Sequence, residues 1–135
     1  MPGIELWSPI RPGLFMGGTS YSTPSGERVC PEIGSSDFHT VVTLFSDAPP
    51  AGHGVKELRL GFADSDELEV DVEALDQIVE IALRDWQAGK QVLVRCEGGW
   101  NRSGLVSCLI LMRTGLSAVE AIDELRAARS PLVLS

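Results

Sequence analysis

Residues 92–104 constrain the fold of this chain more than any other stretch, and they read VLVRCEGGWNRSG. A run rich in β-branched residues at 91–94 leads to Cys96, a loop with a Gly-Gly pair, and an apolar-periodic segment that begins at Leu105. A strand, a glycine-containing loop and a helix start, in this order, predict a cup of backbone N–H groups at the positive end of a helix. Such a cup binds a tetrahedral anion.

The residue types inside the loop favour covalent chemistry on a bound phosphate. Loop amides and a helix N-terminus stabilise the anionic form of a thiol, so Cys96 is expected to be a thiolate at neutral pH. The spacing from Cys96 to Arg102 allows the loop to wrap once around a phosphate, whose oxygens the planar Arg102 fork then grips. Ser103 is expected beside the sulfur, where its hydroxyl donates to the thiolate. The predicted phosphate-binding residues are Glu97, Gly98, Gly99, Trp100, Asn101 and Arg102.

Residues 96–104 resemble the signature loop of the cysteine-dependent protein tyrosine phosphatases, and of their compact dual-specificity branch in particular. The preceding strand, the glycine two positions after the cysteine, the Arg-Ser-Gly ending and the following helix all agree with that pattern. The resemblance implies a protein phosphatase that works through a phosphocysteine intermediate, with no cofactor and no metal. One position departs from it. The family usually has His before the nucleophile, where it helps to order the loop, and this chain has Arg95, whose positive charge would also favour the thiolate.

A second stretch, residues 61–67, contains the candidate general acid. A phosphate ester has a poor leaving group unless a carboxylic acid protonates the departing oxygen. Asp64 lies between a predicted strand and a long helix, and its spacing and setting resemble the family's general-acid loop. Asp66 is the competitor, and Asp64 is favoured because it directly follows Phe62 and Ala63, as in the family pattern. An exposed acidic turn or a helix N-cap is the alternative role for either carboxylate.

The chain as a whole predicts the order β, β, β, α, β, α, α, which is a mixed α/β layer fold with the anion site at the carboxyl end of the 91–94 strand. Through the resemblance, residues 1–135 are expected to form one catalytic domain. Its fold would be the three-layer phosphatase fold, a central mixed, mostly parallel sheet flanked by helices; family domains often continue into one more helix. Strands are expected within 5–16 and at 41–45, 55–60 and 91–94, and helices at 70–88, 105–114 and 117–128.

Composition narrows the partners. A formal net charge of −8, with only two lysines, argues against nucleic acid and anionic membranes as main partners. No apolar run approaches the length of a membrane span, and the N-terminus lacks the features of a signal peptide. Three cysteines make neither a disulfide framework nor a Cys-x-x-Cys motif. We therefore expect a cytoplasmic protein that acts on a phosphorylated protein or a small phosphomonoester.

Several alternatives stay open on the sequence alone. A catalytically weak module that binds phosphoproteins without hydrolysis is one, because Arg95 replaces the usual His and Glu97 places a negative charge in the loop. A sulfur-transfer enzyme of the rhodanese kind is another, although Arg102, Ser103 and the candidate acid favour phosphate. Trp100 is either an aromatic wall at the rim or a residue that packs on a neighbouring loop. Cys30 is a candidate for a reversible disulfide with the nucleophile, a device that some relatives use.

Substrate class follows from what the chain lacks. Family members that act on phosphoinositides tend to carry lysines inside the loop, and this loop has none. Classical tyrosine-specific relatives are about twice as long and have an added loop that deepens the pocket. This chain is too short to include that added loop, which implies a shallower site that admits phosphoserine and phosphothreonine as well as phosphotyrosine.

Overall fold

The computed structural model describes residues 6–63 and 69–135. Along these residues six strands precede the first helix, and a seventh strand separates the first helix from the other two. The strands are β1 (Trp7–Arg11), β2 (Leu14–Gly17), β3 (Tyr21–Ser22), β4 (Arg28–Val29), β5 (Thr40–Thr43), β6 (Lys56–Arg59) and β7 (Val92–Arg95). The helices are α1 (Val72–Gln87), α2 (Arg102–Met112) and α3 (Ala118–Ala128).

The central sheet has five strands in the order β1-β2-β7-β5-β6. β2, β7, β5 and β6 run parallel, and β1 pairs antiparallel with β2 at the edge. This confirms the predicted mixed, mostly parallel sheet. Arg95 is in register with both Gly17 and Thr43, so the carboxyl ends of β2, β5 and β7 meet at one edge of the sheet. The chain after Arg95 therefore emerges at the edge where parallel α/β sheets bind ligands.

The two faces of the sheet are covered differently. Side chains of a strand alternate between faces, and in β5 and β7 Val42 and Val94 join the main core, whose helix residues come from α1, α2 and α3. Val41 and Leu93 point the other way, into a smaller cluster with Ile33 and Phe38. Within the described ranges, the three helices thus pack on one face, and irregular segments around residues 33–38 and 51–55 cover the second.

Three elements differ from the sequence prediction. The first predicted strand is a hairpin, β1 and β2, because the turn at Gly13 (φ +86°) reverses the chain after Pro12. The stretch 19–36, predicted as loop, contains the small β3–β4 hairpin. Helix α2 begins at Arg102 and not at 105. Its first turn carries polar residues and a glycine, so the apolar periodicity starts only after the helix has begun.

Two helix ends have well-defined start and stop residues. Gly89 (φ +85°) follows the last turn of α1 in the left-handed conformation that glycine adopts without strain. Ser117 and Glu120 form a complete capping box at the start of α3. None of the described helices is both long and apolar enough to cross a membrane.

Candidate active site

The loop between β7 and α2 starts where the parallel sheet ends. The Cys96 N–H donates to the Gly17 carbonyl at 3.1 Å, so backbone pairing with β2 continues one residue past the strand. Cys96 is only 2% exposed and belongs to the main core. The sulfur therefore lies against the hydrophobic core and is enclosed by the loop that starts at Cys96.

Two polar groups lie within hydrogen-bonding distance of the Cys96 sulfur. The Gly99 N–H donates to Cys96 Sγ at 3.3 Å, and Ser103 Oγ lies 3.3 Å from the same atom. Ser103 is fully buried in the first turn of α2, whose positive end faces this loop. The sulfur thus contacts one residue of the loop and one residue of α2. The structure places Ser103 beside the sulfur as the sequence predicts, and its catalytic role stays a prediction.

The loop peptides turn carbonyl groups outward. The Glu97 carbonyl accepts from the Thr19 N–H at 3.3 Å, and the Gly99 carbonyl accepts from Arg129 Nε at 2.8 Å. In a trans peptide the next N–H points opposite to the carbonyl, so the N–H groups of Gly98 and Trp100 face away from these outer partners. Within the described part of the chain, neither N–H has a hydrogen-bond acceptor.

The backbone at position 99 leaves no room for a side chain. Its φ of +78° lies in the left-handed region, and a Cβ there would stand 2.5 Å from the Gly17 carbonyl carbon and 2.6 Å from the Gly18 nitrogen. A side chain would clash with backbone, which cannot move aside as a side chain can. The second glycine of the pair is thus required by the close approach of β2 to the loop.

Arg102 lies in the first turn of α2 with its guanidinium toward the sheet edge. Nη1 donates to the Phe62 carbonyl at 2.9 Å, and Cζ lies 5.5 Å from the centroid of the Phe45 ring. Nε is buried and has no acceptor among the residues that the structure describes. A buried N–H without a partner is costly, and the Arg102 Nε–H is a donor that fits an oxyanion.

The remaining loop residues contact the protein in different ways. The Glu97 side chain is exposed and lies 3.7 Å from Arg28, a surface ion pair. Asn101 stands before α2 without a side-chain capping bond, and its Oδ1 is buried with no partner in the described ranges. The Trp100 ring lies 4.9 Å below the guanidinium carbon of Arg129, so it packs against a neighbouring element.

The candidate acids Asp64 and Asp66 lie outside the described residues. The segment that leads to them is in place, because the carbonyl of Phe62 accepts from Arg102. The choice between the two carboxylates therefore stays a prediction.

Arg95 does not turn its charge toward the sulfur. Its guanidinium is buried and donates to Thr43 Oγ1 (3.0 Å), the Pro49 carbonyl (2.7 Å) and Glu57 Oε2 (3.1 Å). Burial alone would raise the pKa of Glu57, but hydrogen bonds from Thr43, the Ala51 N–H and Arg95 bring it below its usual value. The Arg95 charge is thus neutralised by Glu57, and Arg95 orders the loop after β5 and not the loop around the sulfur.

Arg129 is the site residue that sequence reasoning missed. It follows α3 directly, far along the chain from the loop, and its Nη1 also donates to Ser8 Oγ at 3.0 Å. Local sequence offers no signal for this role, because Arg126 on the same helix has the same residue type and reaches a different part of the molecule.

The other two cysteines differ in burial. Cys30 is exposed, Cys108 is buried, and all three cysteines are free thiols. Burial raises the pKa of the Cys108 thiol, which suits a core residue. Across the described ranges no group of three or more His, Cys, Asp or Glu side chains could hold a metal ion.

No family model matches the chain. Over 124 residues the chain is 32% identical to mouse dual specificity protein phosphatase 12, a match that covers 89% of this chain and 35% of that protein. The chain thus spans about a third of the length of this curated relative. Its structure superposes on human DUSP28 with a TM-score of 0.74 at 24% identity, over 93% of this chain and 85% of the other.

The chain has a dual-specificity phosphatase-like fold. Tk-PTP in its active form is a further structural relative, with a TM-score of 0.71 at 26% identity over 96% of this chain and 88% of that chain. These similarities confirm the fold that residues 96–104 and the predicted order of elements indicated. In this dual-specificity phosphatase-like domain, the loop after β7 occupies the ligand-binding edge of the sheet.

Proposed function

We propose that the chain is a phosphomonoester hydrolase that dephosphorylates phosphotyrosine, and also phosphoserine and phosphothreonine, in proteins through a cysteinyl-phosphate intermediate. One observation carries the proposal. The Cys96 sulfur receives the Gly99 N–H at 3.3 Å inside a loop whose next peptide carbonyl is turned outward. A thiolate surrounded by inward N–H groups is the arrangement that nucleophilic attack on a phosphate dianion requires.

In the proposed first step the Cys96 thiolate attacks phosphorus in line with the leaving oxygen. The S–P bond forms as the P–O bond to the leaving group breaks, and Asp64 gives its proton to the departing oxygen. The loop N–H groups and Arg102 stabilise the charge on the three equatorial oxygens. Arg102 is suited to this role because its Nε–H has no acceptor among the described residues.

In the second step water attacks the phosphocysteine. The Asp64 carboxylate accepts a proton from that water, a new P–O bond forms, and the S–P bond breaks to return the thiolate and inorganic phosphate. The Ser103 hydroxyl, 3.3 Å from the sulfur, donates to the thiolate as it leaves. The positive groups that the reaction needs come from Arg102 and the start of α2, so the proposal requires no metal or cofactor.

The proposed substrate is a phosphorylated protein in the cytoplasm. The relative's name, dual specificity protein phosphatase 12, supports a protein substrate with more than one type of phosphorylated residue. The absence of lysine between Cys96 and Arg102 disfavours phosphoinositides, whose additional phosphates need additional cations. A module that binds phosphoproteins without hydrolysis is the competing function, and turnover of p-nitrophenyl phosphate separates the two.

The nucleophile is tested by Cys96→Ser, with Cys30→Ser as the matched control. Cys96→Ser should reduce hydrolysis of p-nitrophenyl phosphate to the buffer rate, because a serine hydroxyl at this site lacks the nucleophilicity of a thiolate, while inorganic phosphate still binds. Cys30 is exposed, so Cys30→Ser should hydrolyse the ester at the wild-type rate. Turnover retained in Cys96→Ser, or lost in Cys30→Ser, would contradict the mechanism.

The acid is tested by comparing two leaving groups. Phenol leaves less readily than p-nitrophenol, so loss of the proton donor should slow phenyl phosphate hydrolysis more than p-nitrophenyl phosphate hydrolysis. Asp64→Asn should show this difference, about 100-fold or more on phenyl phosphate, and Asp66→Asn should not. The reverse result would assign the acid to Asp66.

The wild-type rate should be bell-shaped against pH. The reaction needs an ionised nucleophile and a protonated acid at the same time, so the rate should pass through a maximum as pH is varied. In Asp64→Asn the falling limb should disappear. A wild-type rate that still climbs through pH 8 would exclude a carboxylic acid as the proton donor.

A further inference from the structure

We propose that Arg129 is a positioning residue of the signature loop, which holds the Gly99 carbonyl outside the loop and so keeps the Trp100 N–H directed at the oxygens of a bound phosphate. The inference deepens the proposed function and rests on it for its catalytic consequence. It concerns a residue that follows α3 and contacts the loop from outside.

The contacts of Arg129 fix its guanidinium on several sides. Nε donates to the Gly99 carbonyl at 2.8 Å, Nη1 donates to Ser8 Oγ at 3.0 Å, and Cζ lies 4.9 Å from the centroid of the Trp100 ring. A planar fork with several donors can serve these partners at once, which the single ammonium of lysine cannot. The loop is thereby tied to β1 and to the end of α3.

The link from Arg129 to the anion passes through one peptide unit. The Gly99 carbonyl and the Trp100 N–H belong to the same planar trans peptide and point in opposite directions. Because the carbonyl is held by Arg129, the N–H is turned toward the inner side of the loop. The N–H of Gly99, one peptide earlier, already points at the Cys96 sulfur. Release of Arg129 would free the peptide after Gly99 to rotate and remove one donor from the anion.

The charge of Arg129 adds to the same effect. Burial lowers the pKa of Arg129, and the negative charge of Cys96 opposes that shift. A cation behind the loop also favours a dianionic ligand in front of it.

Arg126, in the last turn of α3, provides a matched control. Its Nε donates to the Val133 carbonyl at 2.9 Å and its Nη2 to the Leu134 carbonyl at 3.0 Å. Arg126→Met therefore also removes hydrogen bonds to backbone carbonyls, but these belong to the C-terminal segment and not to the signature loop. A general loss of packing would affect both variants, whereas loss of loop positioning would affect only Arg129.

The first experiment measures anion affinity as well as rate. Arg129→Met should raise both KM for p-nitrophenyl phosphate and the inhibition constant of inorganic phosphate about tenfold, the effect of one lost hydrogen bond to a charged acceptor. Arg129→Lys, which retains a donor for Gly99 but not the planar fork, should give an intermediate value. Arg126→Met should leave both constants within about twofold of wild type. Unchanged constants in Arg129→Met, or equal increases in Arg126→Met, would overturn the inference.

The second experiment does not depend on turnover. Titration of the ¹⁵N-labelled full chain with inorganic phosphate should shift the backbone amide resonance of Trp100, and the shift should be lost in Arg129→Met and retained in Arg126→Met. A wild-type Trp100 amide that ignores phosphate would overturn the inference even if the enzyme is active. If phosphate moves the Trp100 amide but the wild type hydrolyses no ester, the positioning role stands and the proposed hydrolase function fails.

Discussion

In the proposed second step, the Ser103 hydroxyl donates to the thiolate that leaves phosphorus. It is fully buried, 3.3 Å from the Cys96 sulfur. A hydrogen bond to a charged group is worth about 1.5–3 kcal/mol, so Ser103→Ala should slow release of the thiolate by about 10- to 100-fold. The first step should be less affected. Stopped-flow measurement of p-nitrophenol should therefore show a rapid burst followed by slow turnover.

Ser107→Ala is the control for that experiment. Ser107 is also buried in α2, and its hydroxyl has no partner in the part of the chain that the structure describes. Its replacement should leave both phases unchanged. A slow first phase in Ser103→Ala, without a burst, would assign the hydroxyl to the attack and not to thiolate release.

Residues of the site differ in how far sequence could predict them. Cys96, Arg102 and Ser103 are close together in the chain, so loop geometry alone brings them to one place, and the structure has Ser103 beside the sulfur. Thr19 and Arg129 hold the same loop from distant positions. No local spacing encodes their contacts, because these depend on how β2 and α3 pack around β7.

At the scale of the elements, Glu57 joins three parallel strands. Its carboxylate on β6 accepts from Thr43 on β5 at 2.6 Å and from Arg95 on β7 at 3.1 Å. Glu57→Gln leaves the buried Arg95 charge without a counter-ion, so we expect the free energy of unfolding in urea to fall by about 3 kcal/mol.

Glu124→Gln is the comparison for the ion pair of Glu57. Glu124 pairs with Arg11, and their side chains are 38% and 31% exposed. Because water screens such a pair, its loss should lower the free energy of unfolding by less than about 1 kcal/mol. Equal losses in the two variants would show that burial does not distinguish the pairs.

The elements that were predicted wrongly share one property, which is that their sequences show no hydrophobic periodicity. The first turn of α2 consists of Arg102, Ser103 and Gly104, which are buried beside the site. Because none of the three has an apolar side chain, the turn shows no hydrophobic periodicity. The β3–β4 hairpin has two residues in each strand, too few for an alternating pattern to appear. Long amphipathic segments such as α1 were predicted closely, because one helix face determines their packing.

For the whole molecule, two carboxylates link stability to pH. Burial would raise the pKa of Asp85, but hydrogen bonds from Thr40 and Lys56 bring it below its usual value, as those from Thr43 and Arg95 do for Glu57. A carboxylate with a depressed pKa stabilises the fold above its unfolded pKa and loses that contribution as pH falls through the folded pKa. The melting temperature should therefore drop as the pH is lowered below about 4.5, and drop less steeply in Glu57→Gln. A melting temperature that is constant from pH 7 to 3 would contradict this.

The arrangement of the whole sheet was predictable only in part. The resemblance carried by residues 96–104 implied a mostly parallel sheet, and the strand order β1-β2-β7-β5-β6 agrees with it. The packing on the sheet face opposite the helices could not be predicted. It depends on irregular segments that bring Ile33 and Phe38 onto Val41 and Leu93, and such segments have no periodicity from which their packing could be read.

The pairing of Leu14 with Val92 has a consequence for biosynthesis. A ribosome delivers these positions at very different times, and contacts between distant parts of a chain form late because a long segment must first lose its conformational freedom. The backbone acceptor at Gly17 and the donor at Arg129 are far apart along the chain. A nascent chain that has just exposed Cys96 therefore lacks some of the contacts that shape the loop after β7, and these form only once Arg129 has been synthesised.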